Sequence, residues 1–198
     1  MALVVLHGTW DLLLKAIEME RLVLPGMSVA ELGNILVYPD VFGHTFPAKK
    51  FWERFGATHV SFDLNGRDGA LPVDLGQPLA PKYTNQHDLV TNFGCAEHVE
   101  TSQYWCWRNI HNLCKRGGLM VNCGPEEGSW RIHCKIRYTV PWLEGLAEAC
   151  GYDVRMLDRW ENPIHPVPSA SPFHSVRAIF RKTDKPFPTQ EVFDAIER

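Results

Sequence analysis

The sequence has no long apolar run, no cysteine pair at metal or redox spacing, and no block of like charges. Its first 22 residues, "MALVVLHGTWDLLLKAIEMERL", are apolar in places but broken by His7, Gly8, Asp11 and Lys15. A membrane span needs about 20 consecutive apolar residues, and a secretory leader needs a basic start before an unbroken apolar stretch. Neither is expected, and the cytoplasm is the expected location. Cys95, Cys106, Cys114, Cys123, Cys134 and Cys150 lie at long, irregular spacings with no C-x-x-C. Reduced thiols acting as small hydrophobes are expected, not zinc or disulfides. Lysine and arginine number 20 against 23 acids, for a net charge of −3. Without a basic stripe, nucleic acid is an unexpected partner, as is an anionic membrane. No repeat, low-complexity tract or Ser/Gly linker divides the 198 residues. One domain is expected over 1–198: a helical segment over 1–26, a core over 27–182 and a tail over 183–198.

What the chain does contain is an alternation of short apolar runs with amphipathic segments. Residues 9–22 place Leu12, Leu13, Ala16 and Ile17 at helical spacing. "PGMSVAELG" predicts a turn and first strand, and "PAKKFWERFG" a helix with proline at its start and Gly56 at its end. "THVSFDLNG", "LPVDLG" and "HDLVTNFG" predict three further strands, the last apolar on both parities as a buried parallel strand is. "ETSQYWCWRNIHNLCKRGG" predicts a helix closed by cations and glycines, followed by a fifth strand "GGLMVNCG". "TVPWLEGLAEACG" predicts a helix, "YDVRMLDRW" and "HSVRAIFRK" the last two strands, and "PTQEVFDAIER" a surface helix. The fold class is therefore α/β: a mostly parallel seven-stranded sheet with helices on both faces. The last two strands lack a long helix between them, so they are expected to pair antiparallel.

In such sheets ligands bind beyond the carboxyl ends of the strands. That rule selects Glu31 and Gly33 after the first strand, Asp63 after the second, Asp74 after the third, and Asn92, Phe93 and Gly94 after the fourth. A carboxylate at Asp63 can accept both hydroxyls of a ribose. It can equally stabilise a solvated turn, because "DLNGRDG" is rich in turn residues.

In this order, the strands and acids resemble class I S-adenosylmethionine-dependent methyltransferases. The resemblance runs from about Met27 to Lys182 and is carried most strongly by "HDLVTNFGCAEHVETSQYWCWRNIHNLCKRGGLMVNCGP" and "RIHCKIRYTVPWLEGLAEACGYDVRML". More narrowly, "ATHVSFDLNGRDGALPVDLGQPL" with "TNFGCAEHV" is similar to methyltransferase-like proteins of bacteria and phages. The resemblance implies a Rossmann-like three-layer sandwich and S-adenosylmethionine as cofactor. The family's first-loop motif E-x-G-x-G-x-G maps onto Glu31 and Gly33 and then departs, with Ile35 and Val37 in the second and third glycine positions. Either the loop is re-shaped, with Asn34 and "YPDVFGHTF" supplying contacts, or binding is weakened or lost. Asp63 corresponds to the ribose-binding acid with Leu64 against adenine. Asp74 corresponds to the adenine-binding acid with Leu75 as a backbone donor. Asn92, Phe93 and Gly94 would lie near the reactive methyl, where an aromatic ring suits a sulfonium.

Methyl transfer is an in-line displacement in which the protein aligns the acceptor and, where needed, removes a proton. Glu97, His98 and His133 are the candidate catalytic residues, with Tyr138 further off. His98 is alternatively a packed histidine at a helix start, and His133 a surface one. Some relatives hold magnesium through an E-x-x-E-H run. Gly94 replaces the first glutamate here, so no metal is expected. The proline-rich stretch Asn162 to Pro172 is a candidate lid. Trp105 and Trp107 flank Cys106 on one helix and face different sides, so one is expected outside the core, at an acceptor wall or a homodimer contact. The expected activity is methylation of a small-molecule or glycan acceptor. A catalytically silent binding or regulatory protein on the same fold is the alternative. A nicotinamide enzyme would want G-x-G-x-x-G where "GNILVY" stands.

Overall fold

The computed structural model describes residues 3–4, 7–37, 43–129, 133–161 and 174–197, with the side chains of residues 3, 4, 7 and 8 excepted. The stretch 162–172, read above as a lid, and the "YPDVF" of the first loop lie outside the described residues.

The main sheet has six strands in the order β5-β2-β6-β7-β9-β8. They are β2 (Ser28–Leu32), β5 (Thr58–Phe62), β6 (His87–Phe93), β7 (Cys114–Pro125), β8 (Asp153–Glu161) and β9 (His174–Arg181). The first four in that order are parallel, whereas β9 runs antiparallel to both β7 and β8. The antiparallel pairing of β8 and β9 is the one expected from the short stretch of sequence between them. The expected strand in "LPVDLG" is reduced to one bridge between Phe62 and Leu71. Proline at 72 has no N–H to donate to a ladder, and the chain turns at Asp74 instead.

A second, three-stranded sheet joins β1 (Leu3–Val4), β3 (Ile35–Val37) and β4 (Phe46–Pro47) in the order β1-β3-β4. No periodicity marks strands this short. They explain the unusual first loop, because the chain leaves β2 through Gly33, in the left-handed region at φ 84°, and re-enters extended structure at once.

Helices cover both faces: α1 (His7–Glu20) and α2 (Ala48–Arg54) on one, and α3 (Gln103–Leu113), α4 (Val140–Cys150) and α5 (Gln190–Asp194) on the other. The strands divide their side chains by parity. Leu119, Val121 and Ile179 join Leu12, Leu13, Phe51 and Trp52 in one core, while Met120, Ala178 and Phe180 join Trp107, Ile110, Trp142 and Leu146 in the other. Capping sets the helix starts: the hydroxyls of Ser102, Thr139 and Thr189 accept from the N–H groups of Trp105, Trp142 and Val192. Helix α3 stops at Leu113, a turn earlier than expected. "CKRGG" belongs to β7, where Lys115 pairs with Asp88 at 3.1 Å. Trp107 is buried, and Trp105 is half-covered beneath the Arg108 guanidinium, 4.9 Å from its ring. The last helix lies on the surface as expected and is anchored by Phe193, which is 2% exposed and completes the second core. All six cysteines are unpaired, and no described helix is long and apolar enough to cross a membrane.

His111, at the end of α3, illustrates the cost of that burial. Its Nδ1 lies 2.9 Å from the Tyr152 hydroxyl; burial, with Lys182 and Arg108 nearby, pushes its pKa from 6.5 down to about 3. The unfolded chain takes up a proton near 6.5 that the folded chain refuses. Stability is therefore full above that pH and lost as pH falls towards 3. Between pH ~7 and ~4.5, this group alone removes about 2.5 kcal/mol. Urea denaturation at both pH values should show the loss shrinking by about that amount in His111→Gln; an unchanged loss would refute the buried neutral imidazole.

Candidate functional site

The carboxyl ends of β5 and β6 open onto a cavity of about 630 Å³ lined by Asp63, Leu64, Asn65, Val73, Asp74, Leu75, Cys95, His98, Val99, Glu100 and Thr101. Asp63 directly follows β5. Its Oδ2 accepts the Asn34 N–H at 2.7 Å and its Oδ1 the Asn65 N–H at 2.8 Å. One carboxylate thus fastens the loop after β2 to the loop after β5. Each oxygen keeps a second lone pair for a ligand. Asn34 is held again through Nδ2, which donates to Asp68 Oδ2 at 2.7 Å.

Asp74 stands on the opposite lining segment. Among the described residues its bonds fall on Oδ1, from the Gly76 N–H at 2.8 Å and the Thr101 hydroxyl at 3.2 Å, and none falls on Oδ2. The wall here is tight: a Cβ added at Gly76 would lie 1.9 Å from Thr101 Oγ1. Leu64 is 74% exposed at the rim and Leu75 is buried, so the two aspartates are flanked by apolar surface. Paired acceptors beside apolar side chains suit a ligand with hydroxyl and amino groups on a flat ring.

The other expected cofactor residues lie elsewhere. Glu31 is 2% exposed and faces its own turn: the Ile35 N–H donates to Oε1 at 3.3 Å, and His59 Nε2 lies 3.6 Å from the same oxygen. Ile35 and Val37 point into the core shared with α1 and α2, at 1% and 0% exposure. They are packing residues of a strand, so among the described residues no glycine cradle follows β2. Asn92 fixes the next loop, its Oδ1 accepting the Ala96 N–H at 3.0 Å. Gly94 turns that loop at φ 77°. Phe93 packs in the α1–α2 core and is absent from the cavity lining, so it supplies no aromatic wall there.

Glu97, His98 and His133 do converge. Their donor atoms all lie within 4.8 Å of one another. Glu97 Oε1 is 4.0 Å from His133 Nε2, and the two imidazoles meet edge to face at 4.7 Å between centroids. Burial raises Glu97 from 4.5 to about 8, lowers His98, and lowers His133 from 6.5 to about 4. His98 also lines the cavity, which joins the trio to the aspartates. Tyr138 is not part of this group; it is buried and donates to Gln103 Oε1 at 2.8 Å. Cys95, Val99, Glu100 and Thr101 were missed as cavity residues. Their signal was the long connection between the end of β6 and the Ser102 cap, which holds the short helical turn Ala96–His98.

No protein-family model matches this sequence, and no curated protein does. Solved structures do. A chain of the complex between the Haloferax volcanii Trm112 methyltransferase activator and a methyltransferase superposes at TM-score 0.61, with 15% identity over 89% of this chain and 91% of the other. The Burkholderia thailandensis 1,6-didemethyltoxoflavin-N1-methyltransferase, solved with its namesake compound and S-adenosylhomocysteine, superposes at 0.58, with 14% identity over 93% of both chains. The protein has the class I methyltransferase fold. At such identities the likeness concerns architecture, and the [4+2]-cyclase SpnF, at TM-score 0.59 and 13% identity over 87% of this chain and 81% of its own, carries another named activity on it. The methyltransferase fold here is thus a frame on which the cavity between Asp63 and Asp74 has to be read on its own chemistry.

Proposed function

We propose that the protein binds S-adenosylmethionine between Asp63 and Asp74 and transfers its methyl group to a small-molecule acceptor. The observation that carries this reading is that both aspartates, on segments eleven residues apart in sequence, line one cavity beyond the parallel strands, with Leu64 and Leu75 beside them. Asp63 would accept the ribose hydroxyls and Asp74 Oδ2 the adenine amino group, with the ring against Leu64. The sulfonium supplies the reactivity. The chain's own residues hold the nucleoside and orient the acceptor. His98 lines the same cavity, so it is the group placed to take an acceptor's proton. The Burkholderia thailandensis neighbour, solved with S-adenosylhomocysteine bound, supports the choice of ligand.

A second reading rests on the re-shaped first loop. With Ile35 and Val37 buried in the core, the protein could hold the nucleoside without presenting the methyl group productively. Isothermal titration with S-adenosylmethionine and S-adenosylhomocysteine tests both. Dissociation constants in the micromolar range are expected, and no binding of either at high micromolar concentration would overturn them together. Turnover of labelled cofactor with a small-molecule extract then separates transfer from silent binding.

A further inference from the structure

We propose that Glu97, His98 and His133 form a binding site for one divalent first-row transition-metal ion at the wall of the cavity. The three come from two separate segments, the turn after β6 and the stretch before α4, yet offer one carboxylate oxygen and two imidazole nitrogens within 4.8 Å. A small inward adjustment brings such donors to the ~2.0–2.2 Å that metal–nitrogen and metal–oxygen bonds require.

Two orphaned atoms point the same way. Glu97 is 2% exposed and its Oε2 has no hydrogen-bond partner among the described residues; His98 Nε2 is likewise buried and unpartnered. Buried polar atoms are nearly always satisfied, and leaving one without a partner is costly. A cation bound by both would meet both deficits. Two imidazoles with one carboxylate select zinc, iron, cobalt or manganese over magnesium or calcium, which prefer all-oxygen shells. Three protein ligands leave positions open, and His98 links the ion to the cavity. With the ion bound, His98 is a ligand, so ion binding and the proton-accepting role are alternative states of the trio.

Cobalt(II) is the probe, read by its visible absorption on titration into chelator-treated full-length protein. One ion per chain is expected, displaced by zinc, with affinity reduced at least about tenfold in Glu97→Gln and in His133→Ala. Circular dichroism of each variant checks that it is folded. Wild type that takes up no cobalt, or folded variants that bind it as tightly as wild type, would overturn the assignment. S-adenosylhomocysteine titrations on the same wild-type sample keep the two proposals apart. Nucleoside binding without cobalt uptake removes the ion alone; cobalt uptake without nucleoside binding removes the methyl-transfer reading and leaves the ion.

Discussion

Asp63→Ala is expected to weaken S-adenosylhomocysteine binding at least about hundredfold. Two charge-assisted hydrogen bonds to the ribose would be lost, each contributing about 1.5–3 kcal/mol, and 1.4 kcal/mol is tenfold in affinity. The same carboxylate accepts the Asn34 and Asn65 N–H groups, so the substitution also loosens two loops. Asp63→Asn separates these effects. Its remaining carbonyl oxygen can keep one loop bond, so thermal stability should recover in part while affinity stays low, because the charge is gone. Calorimetry and thermal melts on both variants check this. Unchanged affinity in either would move the ribose away from Asp63.

Ile35→Gly should cost about 4 kcal/mol of stability and bring no gain in nucleoside affinity. The substitution restores the glycine that the methyltransferase motif has at this place, so on sequence grounds it would seem to repair the cofactor loop. The side chain is 1% exposed and packs in the core with α1 and α2. Truncating a buried isoleucine costs about 2–5 kcal/mol, and glycine in a strand adds about 0.5–1. Against a total stability of about 5–15 kcal/mol, that is a large share. Urea denaturation measures the first part and calorimetry the second. Tighter binding with little lost stability would mean that the loop is a damaged cradle and not a strand.

The long elements were legible in the sequence because they repeat their periodicity. The β6 run and the α4 pattern between Thr139 and Gly151 are examples, and the antiparallel end followed from the short span between β8 and β9. Asp63 was legible as the acid directly after β5, whereas Asp74 reaches the same cavity from a turn after a single bridge and not from a strand. What sequence could not reveal depends on pairing across distance. The strand Ile35–Val37 is only three residues long and is defined by partners at Leu3–Val4 and Phe46–Pro47. Phe93 follows strand alternation into the α1–α2 core, and its neighbours in sequence say nothing of which face that is. His133 meets Glu97 across 35 intervening positions, a proximity no local spacing encodes.

Phe193 carries a consequence for how the chain is made. Its ring lies 5.7 Å from that of Tyr104 and 5.8 Å from that of Trp142. One aromatic core therefore stays open until Phe193 has left the ribosome. Until then Tyr104 and Trp142 lack that ring, and the partly built core exposes apolar surface open to chaperones and to aggregation.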